Sequence, residues 1–168
     1  MPLTVERCFS CHASVPRIQG PTHDYMTSSP GCWKLFTGLL DALQRDGPAA
    51  AGELQDVVDA YAAQHPGRPG RRESQSVHLH LTSLYLGLEH GFDARARQRA
   101  LQALLRGRPA FAWLEPPSFA NTLTVADVVA CRSDAARREA IGAWAASVWD
   151  AWKPHRATVA GVVARILG

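Results

Sequence analysis

Apolar residues recur at three- and four-residue intervals along most of this chain, the spacing that gathers them on one face of an α-helix. Trp33, Phe36, Leu40 and Leu43 make the first stripe; Ser29 followed by Pro30 predicts its start, and Asp46-Gly47-Pro48 its end. Leu54, Val57, Val58, Tyr61 and His65 predict a second helix from about Gly52 to His65, stopped by Pro66. A third, from about Glu73 to Glu89, puts Val77, His80, Leu81, Leu84 and Leu88 on one face, with Gly91 as its stop. A fourth follows from about Ala94 to Leu105.

The period is lost in RGRPAFAWLEPPSFANTL, where prolines interrupt large apolar residues, and a packed loop is expected there. Thr124 and Asp127 then predict a capping box for a short helix ending near Cys131. Ser133 or Asp134 opens a long helix through Ile141, Trp144, Val148 and Trp152, and Pro154 breaks it and starts the last, with Val159, Val163 and Ile166 inward. No strand alternation or repeat intervenes. The expected fold is all-α: a single-domain helical bundle over residues 1–168, with an irregular metal-binding arm at 1–32 and the bundle proper at 33–168.

Composition narrows the function classes. A chain of 168 residues, 46% of them apolar, can bury a real core without staples. The formal charge is +3, but Arg68, Arg71, Arg72, Arg95, Arg97, Arg99, Arg106 and Arg108 are dispersed without interleaved aromatics, which argues against nucleic acid as a partner. MPLTVERC lacks the apolar run of a signal peptide, and later apolar stretches meet charges before a membrane span is complete. A cytoplasmic protein with no membrane association is expected. Its partner is a small molecule or a protein of unspecified kind, and the composition does not fix an oligomeric state.

In a reducing compartment four cysteines point to metal or redox chemistry rather than disulfides. Cys8 and Cys11, in CFSCH, have the two-residue spacer of a zinc knuckle. A thioredoxin-like redox pair shares that spacing but needs a strand before it and a helix after it; Pro16, Gly20 and Pro21 follow instead. If the first two helices form an antiparallel hairpin, Cys32 at the start of one lies level with His65 at the end of the other, both facing inward. Cys8, Cys11, Cys32 and His65 thus form a Cys3His set suited to tetrahedral zinc. His23, nine positions before Cys32, is the rival fourth ligand and would close a more local finger.

The other histidines divide in two. His80 on the inner stripe and His155 at the break before the last helix are candidates for a polar pocket at the metal end, which Tyr25 and Asp59 could also enter; each could equally satisfy a loop carbonyl. His12, His78 and His90 are expected to be solvated, and Cys131 to be a small buried hydrophobe.

CxxC, GPTHDY, SSPGCW, VDAYAAQHPG, QSVHLHL, WLEPP, TVADV and WAASVWDAWKPH together resemble, over nearly the whole chain, an uncharacterised bacterial family carrying a domain of unknown function, family 5946. The resemblance brings no activity. It implies that His23, Tyr25, Cys32, Asp59, His65, Gln75, His80, Trp149 and His155 stand in the segments by which the family is recognised. His12 departs from the glycine expected after the second cysteine of the knuckle, which suggests a position needing no special backbone angle, or a distorted turn. The leading expectation is a small zinc-binding helical protein with a structural ion and an accessory or binding role. The alternative is a metal-dependent enzyme, hydrolase or isomerase-like, using His80, His155, Tyr25 and Asp59 in a cleft at the metal end. That alternative is superficially similar to the DinB-like helical hydrolases, whose paired intrahelical histidines this chain lacks.

Overall fold

A computed structural model describes residues 4–167. The chain is mainly helical. Its helices are α1 (Pro30–Arg45), α2 (Ala51–Gln64), α3 (Arg71–His90), α4 (Ala94–Arg106), α5 (Val125–Val129), α6 (Asp134–Trp152) and α7 (Arg156–Leu167). Their ends follow local chemistry. The Ser29 hydroxyl accepts from the Cys32 N–H at the start of α1, with Pro30 just inside the cap. Gly91 takes the left-handed conformation, φ +68°, that ends α3. Asp127 accepts from the Thr124 N–H at 2.7 Å to open α5, and the Ser133 hydroxyl caps α6.

α2 is the central element. It packs on α1, α3, α4 and α6, and its second half, from Asp59 to Gln64, is buried on every side. Being enclosed, it holds the side chains of Asp59 and Gln64 by internal partners. Gln64, fully buried, donates its amide to the Thr122 hydroxyl and the Leu123 carbonyl, both at 2.7 Å, and accepts from Trp144 Nε1 at 2.8 Å. Trp152 Nε1 donates to the Ala63 carbonyl at 3.1 Å. The tryptophans of α6 therefore fix the end of α2 in place as well as filling the core.

The arm differs from the irregular segment read from the sequence. Val5–Arg7 (β1) and Ser14–Pro16 (β2) pair antiparallel, with Glu6 opposite Val15. The loop between them is the knuckle: the Cys8 N–H donates to the Ala13 carbonyl at 2.9 Å, and the His12 N–H to the Cys8 carbonyl at 3.2 Å. His12 sits at φ +61°, so this position does require the left-handed angle that glycine accepts without cost. The hairpin rests on α1 at Gly31, where an added Cβ would overlap the Pro16 carbonyl oxygen.

Candidate metal centre

Three segments deliver the donors. Cys8 and Cys11 flank the knuckle turn, Cys32 lies in the first turn of α1, and His65 is the C-cap residue of α2. All four are at most 2% exposed. Their ligating atoms lie within 4.8 Å of one another. Cys11 Sγ is 3.8 Å from Cys32 Sγ, and His65 Nε2 is 3.5 Å from Cys8 Sγ and 3.6 Å from Cys32 Sγ. A tetrahedral ion with sulfur at about 2.3 Å and nitrogen at about 2.0 Å has edges of roughly 3.8 Å between sulfurs and roughly 3.5 Å between sulfur and nitrogen. Three of the set's six edges match that frame, and the set could hold a metal ion.

The surroundings prepare each donor. His65 Nδ1 donates to the Tyr61 carbonyl at 2.7 Å, which leaves the Nε2 lone pair aimed at the sulfurs, as a ligating imidazole requires. Its ring stacks on Tyr61 with centroids 4.0 Å apart, and Tyr61 stacks on Phe36 at 3.8 Å, so the imidazole plane is clamped. Cys32 occupies the positive end of the α1 dipole, which favours a thiolate. Ser10, inside the knuckle, donates to the Gln64 carbonyl at 2.6 Å and ties the turn to the end of α2.

Three thiols this close cannot all ionise on their own. Hydrogen bonds from Cys11 and then Cys32, with His65 adding to them, hold Cys8 far below the ordinary thiol range against its burial. Cys11 accepts from Cys32, yet its own hydrogen bond to Cys8 and its burial leave it pushed up to about 12. Cys32 is raised further, first by hydrogen bonds to Cys11 and Cys8 and then by burial. The result is one thiolate supported by two thiols. A divalent cation held by the four donors would favour all three cysteines as thiolates, with release of their protons. The Tyr61 hydroxyl is buried beside Ser28 and Cys32 without a well-formed partner, and burial first, then the nearby cysteines, raises its pKa and keeps it protonated.

The remaining candidates stand elsewhere. His23 packs edge-on against Tyr25 and Trp33, at 4.3 and 5.4 Å, and is not among the four converging donors. The α1–α2 hairpin brings His65 to the cysteines, while His23 packs among aromatic rings. Tyr25 lies under the Arg72 guanidinium at 4.9 Å. Asp59 and His80 are joined by a 2.8 Å hydrogen bond across the α2–α3 seam. His155 instead bonds the Glu115 carbonyl at 2.9 Å, so the four residues expected in one cleft are divided among three different sets of partners. His78, expected in solvent, is 3% exposed and bonds the Ala112 carbonyl at 2.9 Å, because the 107–123 loop folds over that side of α3. Cys131, expected buried, is partly exposed. Sequence reasoning missed Gln64 and the buried Arg97; Gln64 gave a local signal as a polar residue interrupting an apolar stretch, whereas Arg97 stands among other arginines.

Among the described residues, no helix is long and apolar enough to cross a membrane. The chain belongs to a family described as Family of unknown function (DUF5946), whose profile matches residues 6–153. No curated protein and no solved structure matches it.

Proposed function

We propose that Cys8, Cys11, Cys32 and His65 hold one structural zinc ion that pins the arm, residues 1–32, to the helical bundle, residues 33–168, so that the two fold as a single domain. The observation that carries this reading is the agreement of the three donor edges with a tetrahedral frame whose corners are all buried. Three thiolates and an imidazole favour zinc over harder ions. With four protein donors the coordination is closed, leaving no position for water or substrate, which is the arrangement of structural rather than catalytic sites. The ion supplies charge that lets three thiolates coexist. The chain does the rest: α1 and α2 hold Cys32 and His65 level, Tyr61 fixes the imidazole tautomer, and Ser10 and Gly31 seat the knuckle. Anchored in this way, the hairpin becomes a rigid platform for a binding or accessory role.

The test is ligand identity. His65→Ala should lower metal retention in chelator competition far more than His23→Ala, while both proteins remain helical by circular dichroism. Loss of metal from the His23 variant with full retention in the His65 variant would overturn the assignment.

A further inference from the structure

A second polar cluster lies at the seam of α2, α3 and α4, built from residues that play no part in the metal centre. Asp59 is fully buried and surrounded by donors. Its Oδ1 accepts from His80 Nδ1 at 2.8 Å, Oδ2 accepts from the Ser83 hydroxyl, and the Gln55 amide reaches both oxygens at 3.0 Å. Arg97, almost fully buried, donates to Asp56 at 2.8 Å and stands 3.6 Å from Asp59. Gly87 makes room for it, since a Cβ there would lie 2.8 Å from the guanidinium.

This construction determines what His80 can do. With Nδ1 committed to a carboxylate, the neutral ring carries its lone pair on Nε2. Among the described residues no protein group bonds Nε2, and it is not one of the buried unpaired atoms, so it meets solvent; the side chain is 21% exposed over a carboxylate that is 0% exposed. Of the two carboxylates facing the Arg97 guanidinium, Asp59 is fully buried and Asp56 is a quarter exposed, so the one at the ring is the one held out of water. The Asp59 carboxylate offsets the imidazolium formed on taking a proton.

We propose that His80 and Asp59 form a proton-transfer site for neutral acyl esters, with His80 as the catalytic base and Asp59 as the residue that positions it. Water adds to the ester carbonyl as its proton passes to His80 Nε2. The acyl C–O bond then breaks, and the proton leaves with the alcohol or phenol, so the imidazole returns to its starting state with no other reactant consumed. Arg97 is spent on Asp56 and Asp59, so the cluster offers a base without an electrophile, and the substrate must bring a reactive carbonyl. An open groove of about 510 Å³ between α2 and α4 adjoins the cluster through Gln55, and Leu54, Val58, Leu101 and Leu105 line it. It suits a ligand with an apolar body.

The probe is 4-nitrophenyl butyrate, offered to the metal-loaded full chain. His80→Asn keeps a donor near the Nδ1 position and removes the base. Its kcat/KM should fall at least about tenfold, the low end of what a positioned base contributes, with metal content and thermal midpoint unchanged. His90→Gln should leave the rate unchanged. Nitrogen-detected NMR of the unsubstituted protein should show His80 as the Nδ1–H tautomer, and Asp59→Asn should shift it toward Nε2–H and move the pH profile of hydrolysis. An Nε2–H tautomer in the unsubstituted protein, or hydrolysis no faster than that of His80→Asn, overturns the proposal. Neither outcome touches the zinc assignment, which is read from metal content.

Discussion

Gly31→Ala leaves all four proposed ligands in place and should still weaken metal binding. Gly31 is buried where the hairpin crosses the first turn of α1, one residue before Cys32. A Cβ at this position would overlap the Pro16 carbonyl oxygen and stand 3.1 Å from its carbon and 3.2 Å from Val15 Cγ2. Two of those atoms are backbone, so no side-chain rotation relieves the overlap. Restoring ordinary contact with that oxygen requires the hairpin to move by roughly 1.5 Å, given optimal separations of about 3.5–4.0 Å. Cys8 and Cys11 ride on that hairpin, and metal–ligand distances tolerate only about 0.2 Å. Metal-free protein can let the hairpin shift, whereas loaded protein must hold it in place and carry the strain. Overpacking of this kind costs about 1–3 kcal/mol, and a coupling of that size lowers affinity by about 5- to 150-fold. Competition against a chelator of known affinity measures the change. Affinity within twofold of the unsubstituted protein would refute the proposed coupling between hairpin seat and metal site.

Two further outcomes follow from the same geometry. His12 holds a left-handed angle at about 1 kcal/mol or more, so His12→Gly should raise the unfolding free energy by about that amount in urea titration; a loss of stability would contradict the reading of the turn. Burial holds the His78 imidazole below its ordinary range, against a hydrogen bond to Ala112. Below pH about 6.5 the unfolded chain therefore takes up a proton that the folded chain resists. Stability should fall from there toward the lower folded value, and His78→Gln should flatten the slope at saturating metal. Equal slopes would contradict it.

Much of the helical order was legible because its signals are local. Ser29-Pro30, Gly91, Thr124 with Asp127, and Ser133 each act within one turn, and each bounds a helix at its expected place. The hairpin was not legible. Three residues a side are too few to show an alternation, and Val5 is exposed, so the pairing is imposed by the knuckle turn and the seat on α1 rather than by an apolar face. Cys32 and His65 could be brought together on paper because a short connection fixes the level of two antiparallel helices. His80 and His155 could not, since their relation depends on how α3 and α6 rotate about α2 and on the path of the 107–123 loop. The same loop buries His78, two positions from His80 on the opposite face of α3. Arg97 belongs to an arginine-rich stretch that reads as solvated until Gly87 and the paired carboxylates of α2 are seen beneath it.

The most direct test of the metal centre is elemental analysis joined to native mass spectrometry on protein purified without chelator. One zinc per chain is predicted, lost from Cys11→Ser together with a lower thermal midpoint, since binding and folding of the arm are one event. Protein that is folded and free of zinc, iron and every other transition metal would contradict the account.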